Sequence, residues 1–288
     1  MKTHIGNTLV NRSYLGNTLI SNSYFDTFLP IDPESISGLL IHADALKSTV
    51  YVDGSGWISG IQNLGSLGGQ FDPYPSPASV NPALPANFVQ GTGNTKSFRF
   101  VGQTTNYMAT MFFRYPSSYT PKTTISIAKR DVFSAQTNPQ MYTHAFGTHP
   151  GYGTMIEHPR LINSNVMDGG SGAGGNVVSP DSPLDPYVNG DLNYTMFAWS
   201  SPDYFAPTDS RFQTTLENST SATYTGTTPS QTLTAYFVNS YSSSTNPGAA
   251  NTGTTQHIAH MVYDSVLTET QIKGIYNYYN ITRGYLMN

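Results

Sequence analysis

Apolar residues near the amino terminus come in short pairs set between turn-forming dipeptides. Ile5-Gly6-Asn7-Thr8-Leu9-Val10-Asn11-Arg12-Ser13-Tyr14 is followed at once by Leu15-Gly16-Asn17-Thr18-Leu19-Ile20-Ser21-Asn22-Ser23-Tyr24, with six of ten positions identical. Gly and Asn both tolerate positive φ, so each Gly-Asn reads as a tight turn between very short strands. Two units are too few to stack a solenoid core, so the apolar positions need a cover from elsewhere. The pattern predicts an extended β-ribbon arm over residues 1–30 that lends its strand edges to a neighbouring subunit. Its candidate docking residues are Ile5, Leu9, Tyr14, Leu15, Leu19 and Tyr24.

Past the arm, residues 28–35 (FLPIDPES) read as a proline-punctuated linker. Apolar runs then predict strands near 38–43 and 49–52, and Trp57-Ile58 opens another after the turn Asp53-Gly54-Ser55-Gly56. The proline-rich stretch 72–87 cannot be a central strand or a helix and is expected to wrap the surface as an extended loop. Strands are predicted at 96–102, 107–114, 123–129, 140–146, 153–157, 193–199, 211–216, 232–239 and 257–264. Residues 168–176 (DGGSGAGGN) and 240–255 read as flexible loops. Many short strands with polar connections indicate an all-β antiparallel sandwich, here one domain over residues 31–288. One helix closes the chain. Thr268 and Gln271 form a capping box, Ile272, Ile275, Tyr276 and Tyr279 follow at i, i+3, i+4 and i+7, and Gly284 supplies the stop. Such a helix is expected across the sandwich edge.

Composition narrows the function classes. Charged residues make up 10% of the 288-residue chain and the net charge is −4, against about 25% charged residues in ordinary soluble proteins. No basic cluster marks a nucleic-acid or anionic-lipid partner. The absence of cysteine removes disulfides, thiolate metal sites and cysteine nucleophiles. No apolar run is long enough for a membrane helix, and the amino terminus lacks the apolar stretch of a secretory signal.

The stretch LLIHADALKSTVYVDGSGWISGIQNLGSLGGQF resembles the opening of concanavalin A-like, laminin-G-type lectin and glucanase domains. Asp44-Ala45 and Asp53-Gly54-Ser55-Gly56 fit that pattern; Ile61 replaces a later tryptophan, and Asn63-Leu64-Gly65-Ser66 stands where a polar tail is usual. The closing HIAHMVYDSVLTETQIKGIYNYYNITRGY is similar to the family's last strand and short helix. The resemblance implies a jelly-roll sandwich. The doubled YLGNTLI opening is similar to the amino ends of tailed-bacteriophage structural proteins, which fits a cysteine-free chain released by lysis. Together these imply a virion protein assembled in the host cytoplasm, either a capsid decoration or a tail appendage. Its expected partners are other virion proteins, further copies of itself, and host surface glycans.

Catalysis is not expected. Retaining glycoside hydrolysis needs two carboxyls about 5–5.5 Å apart. The four glutamates, Glu34, Glu157, Glu217 and Glu269, have no carboxylate two or four residues away on a plausible strand. No zinc motif gathers His144, His149 and His158. His257 and His260, three apart on a predicted strand, are expected on opposite faces. No cofactor is expected; calcium is the one ion the loops suit, through aspartates such as Asp168, Asp181, Asp185 and Asp191. Trp199 and Phe197 share one predicted strand face, and both Trp57 and Trp199 are expected in the core rather than on a sugar platform. Two alternatives stay open: a glycan-cleaving hydrolase of the same fold, and a secreted bacterial lectin or adhesin.

Overall fold

A computed structural model describes residues 2–5, 8–11, 13–15, 18–21, 29–73, 87–100, 111–114, 121–132, 141–147, 156–162, 166–171, 175–178, 194–200, 210–214, 219–222, 224–225, 235–238 and 254–283. The doubled decapeptide gives two hairpins. Strand β1 (Lys2–Ile5) pairs with β2 (Thr8–Asn11), and β3 (Ser13–Leu15) pairs with β4 (Thr18–Ser21). Ile5 pairs with Thr8 and Leu15 with Thr18, so Gly6-Asn7 and Gly16-Asn17 separate the paired residues in the same way. Each hairpin is a two-stranded sheet of its own.

Two larger antiparallel sheets form the sandwich. One contains β5 (Leu39–Asp44), β9 (Asn87–Gln90), β10 (Ser97–Phe100), β12 (Thr123–Val132), β17 (Thr195–Ser200), β18 (Ser210–Thr214), β19 (Ser219–Ala222) and β22 (Thr254–Tyr263). Its order is β19-β18-β17-β12-β22-β10-β9, and β5 shares the same side of β22 as β10, further along the strand. The other contains β6 (Val50–Val52), β7 (Ile58–Gln62), β8 (Gln70–Pro73), β11 (Met111–Arg114), β13 (Met141–Gly147), β14 (Ile156–Ile162), β15 (Val166–Ser171), β16 (Gly175–Val178), β20 (Tyr224–Thr225) and β21 (Ala235–Val238). Its order is β20-β16-β15-β14-β13-β21-β11-β8-β7-β6.

The sheets meet through buried aromatic rings. Phe71 of β8 packs on Phe113 of β11 and on Tyr236 of β21, and Tyr236 in turn meets His260 of β22 across the sandwich. On the opposite face of the eight-stranded sheet lies the helix α1 (Glu269–Thr282). Its Ile272, Ile275, Tyr276 and Tyr279 pack with Leu39, Ile125, Ile127, Met196, Ala198, Ala259, Met261 and Tyr263. These residues come from β5, β12, β17 and β22, so the helix covers the sheet face and not the sandwich edge. The predicted stripe is right and its docking place is corrected: the wide apolar face needs a wide apolar surface, and β5, β12, β17 and β22 together offer one. The capping box is present, with Gln271 N donating to Thr268 Oγ1 at 3.2 Å and Thr268 N donating to Gln271 Oε1 at 2.9 Å. Gly284 lies outside the described residues.

Two further expectations change. The expected linker over 28–35 is instead docked through its described part: Ile31 N donates to Gly274 O at 3.0 Å, and Pro33–Ser35 forms a 3-10 turn capped by Asp32. A Cβ on Gly274 would meet Ile31 at 2.5 Å, so the glycine lets this segment lie against the helix. The glycine-rich stretch 168–176 is not simply a loop, because β15 and β16 pair through it, Asp168 opposite Val178 and Ser171 opposite Gly175. Ladder partners on both sides, β14 and β20, override its weak strand propensity. Of the proline-rich stretch, residues 74–86 lie outside the described residues; its ends belong to β8 and β9. Most of 240–255 lies outside them too.

Candidate functional site

Five of the six predicted docking residues fall on the two hairpins. Ile5 ends β1, Leu9 lies in β2 opposite His4, Tyr14 of β3 lies opposite Leu19 of β4, and Leu15 lies opposite Thr18. Tyr24 lies outside the described residues. The structure therefore brings Tyr14 and Leu19 together as a cross-strand pair and places Ile5 and Leu15 at equivalent register positions, opposite Thr8 and Thr18.

Chemically dense residues gather where β5 meets α1. A strand alternates its faces, so His42 and Asp44 both look toward the helix while Ile41 and Ala43 look toward the other sheet. Asp44 accepts from Leu46 N at 2.7 Å, Tyr279 OH at 2.9 Å and Arg283 Nη2 at 3.1 Å. Arg283 also donates to the carbonyls of Asn94 and Lys96, which ties the helix end to the turn before β10. Burial lowers the Arg283 pKa from its ordinary value and raises that of Tyr279 well above its own; Asp44 adds to the second shift and opposes the first.

His42 Nε2 meets Tyr279 OH at 3.0 Å, and its Nδ1 stands 3.4 Å from Glu34 Oε1 without a hydrogen bond. Burial holds the His42 pKa below its usual value even though Asp44 and Glu34 pull it up. At the rim, Lys47 Nζ donates to Asp32 and Glu34. Apart from His42 Nδ1, the site's titratable groups bond to one another, and the cluster fastens β5 to α1.

Asn63 supports the same strand from below. Its Oδ1 accepts from His42 N at 2.7 Å and Gly65 N at 2.9 Å, and its Nδ2 donates to Leu40 O and Gly68 O. Asp53 accepts from Ser55 N and Trp57 N, closing the β6–β7 hairpin. The residues singled out by the family resemblance therefore act as turn and strand locks.

A second cluster lies between the sheets. His257 Nδ1 and His260 Nε2 stand 2.9 Å apart with their rings stacked, so the two histidines share a face. This corrects the expected opposite orientation. Pairing with β12 shifts between Ala259, opposite Ile127, and His257, opposite Ala128, so Ile258 is a bulge and a three-residue step acts as two. The chain of bonds runs from Tyr236 OH to His260 Nδ1 at 2.9 Å, then to His257, then from His257 Nε2 to Thr255 Oγ1 at 2.9 Å; Ser126 Oγ also reaches His260 Nδ1. Either direction along it leaves both rings neutral, each with one donor and one acceptor nitrogen. Burial pushes the His260 pKa down to about 3 and that of His257 well below its ordinary value.

The other chemical candidates are dispersed. Glu269 pairs with Lys273. Glu157 lies in β14 opposite Ala145 and Gly170, and His144 of β13 lies opposite His158 of β14. Asp168 lies in β15 opposite Arg160 and Val178. His149, Asp181, Asp185, Asp191 and Glu217 lie outside the described residues. Among the described residues no group of three or more His, Asp or Glu side chains forms a metal site. Trp57 is half-buried at the mouth of β7, and Trp199 of β17 lies opposite Thr124 and Phe212.

No family model and no curated protein matches the chain. Solved structures do. A botulinum neurotoxin type C structure, a toxin that depends on two ganglioside molecules to enter cells, matches with TM-score 0.51 and 8% identity, over 84% of this chain and 51% of that one. A Trypanosoma rangeli sialidase in complex with sialic acid matches with TM-score 0.49 and 10% identity, over 86% of this chain and 35% of that one. Domain 4 of a Geobacillus stearothermophilus extracellular arabinanase, in complex with arabinotriose, matches with TM-score 0.46 and 11% identity, over 82% of this chain and 97% of that one. The chain spans about half the length of the toxin chain and a third of the sialidase chain. At 8% identity the likeness to the toxin is one of fold, and it agrees with the lectin-like sandwich predicted from the sequence.

Proposed function

We propose that this chain is a non-enzymatic glycan-binding sandwich, held on a bacteriophage particle by its amino-terminal hairpins. The observation that carries the reading is the separation of the doubled decapeptide into two like hairpins, each its own sheet beside the two sheets of the sandwich. Two copies of one short docking unit can engage two equivalent grooves, and the first contact raises the effective concentration of the second. The fold supports the glycan half, being shared with a toxin chain that depends on gangliosides. Three carboxylates of the described residues are engaged by neighbouring groups, which supports a non-catalytic role: Asp44 is held by Arg283 and Tyr279, Glu34 by Lys47, and Glu269 by Lys273.

Incorporation into particles tests the reading. The full chain and a chain lacking residues 1–26 are supplied to a lysate that assembles the particle, and the gradient-purified particles are analysed by mass spectrometry. The full chain is expected in the particle fraction and the shortened one in the soluble fraction. Equal distribution of the two would overturn the docking role of the arm.

A further inference from the structure

We infer that the outer face of β6, β7 and β8 is a binding subsite for a neutral saccharide, with Tyr51 as the stacking surface and Gln70 and Asp72 as the hydroxyl-reading groups. The inference rests on the glycan-binding reading above and gives it a place.

The strand pleat divides these residues. Ile61 and Phe71 are paired across β7 and β8 and are buried toward the other sheet, at 2% and 0% exposure. Tyr51 pairs with Gly60 on the opposite face and stays 47% exposed. Gly60 shapes the surface there. A Cβ built on it would stand 3.1 Å from the Tyr51 ring and 3.2 Å from Gln70 Nε2, so the missing side chain lets the ring and the amide settle side by side. Gln70 Nε2 donates to Asp72 Oδ1 at 2.6 Å. That bond uses one amide hydrogen and one carboxylate oxygen. It leaves the amide oxygen, the second N–H and the other carboxylate oxygen for a ligand.

A half-exposed ring beside an oriented amide–carboxylate pair is the equipment a pyranose needs. The ring takes the sugar's C–H face, and the polar pair takes neighbouring hydroxyls. The Asp72 charge disfavours acidic sugars, which makes the class neutral. Strand addition by a protein partner is disfavoured at the same edge. β6 is the last strand of its sheet but has three residues, with a register shift between Tyr51 and Val52 that breaks a regular ladder.

The test uses the intact chain on an array of neutral and sialylated oligosaccharides, followed by calorimetry with the strongest neutral ligand. Tyr51→Ala is expected to weaken binding about tenfold, and Tyr51→Trp to keep it within about threefold. Gln70→Ala is expected to fall between them, while Val266→Thr, exposed on another surface, binds as the parent does. Thermal melts of all variants should match the parent, since Tyr51 and Gln70 are exposed. If every variant binds like the parent, the subsite is elsewhere and the glycan-binding reading stands. If sialylated ligands bind best and Tyr51→Ala leaves them unaffected, the neutral-sugar assignment fails. If the parent binds no oligosaccharide, both the subsite and the glycan-binding reading fall. If Tyr51→Ala abolishes self-association instead of sugar binding, the face is a protein interface and the inference is overturned.

Discussion

Asp44 receives hydrogen bonds from a backbone amide, a tyrosine hydroxyl and a guanidinium, the last two more than 230 positions away in sequence. Asp44→Ala would leave the Arg283 charge buried with only two carbonyls to face. A loss of about 3–5 kcal/mol in unfolding free energy is expected, read by urea titration. The histidine pair sets a pH dependence. With folded pKa values depressed below the unfolded value near 6.5, His257 and His260 stabilise the fold fully at neutral pH. Stability drains as pH falls below about 6.5, toward the folded value of about 3 for His260. Thr255, Ser126, Tyr236 and Phe100 surround the rings and offer no carboxylate to relieve the charge. Urea midpoints should drop steeply between pH 7 and pH 5, while the ring resonances of the folded protein stay those of neutral imidazole. A flat midpoint over that range would contradict the buried neutral pair. Asp44-Ala45 was legible in sequence as a family mark. Its partners were not, because contacts spanning almost the whole chain leave no local pattern. The stacked histidines escaped for a different reason: one bulged residue, Ile258, reverses the parity on which face assignment depends.

At the scale of elements, periodicity served best where one face is buried and local capping agrees with it. The helix showed both, since Thr268, Gln271 and the apolar stripe all point to one segment. Among the strands from 96 onward, β10 and β21 were legible through alternation. The hairpin β15–β16 was not, because glycines carry no alternation and its order comes from its neighbours in the sheet. Gly65 is a sharper case. A Cβ there would collide with Leu40 O and stand 2.6 Å from Ile41 N, both backbone atoms of β5 and therefore unable to step aside. Gly65→Ala is expected to cost about 1–3 kcal/mol by prising the Asn63–Ser66 turn from that strand. Chemical denaturation reads the loss, and amide exchange at His42 and Leu64 should quicken with it. A variant as stable as the parent would mean that the turn does not hold β5.

For the whole molecule, the all-β sandwich fold class was accessible from strand rhythm and one family resemblance. The placing of the helix over a sheet face was not, because it depends on which strands become neighbours. The arm and the sandwich have separate hydrogen-bonded sheets, so removing residues 1–26 should leave the thermal melt of the remainder within about 2 °C of the full chain. A larger fall would show that the hairpins support the sandwich. The central claim is that the sandwich holds glycan without cutting it. Its most direct test is a time course of the intact chain on an immobilised neutral polysaccharide, following protein retained and reducing ends released together. Retention with no growth in reducing ends is the predicted result; steady release of reducing ends, or no retention at all, would contradict it.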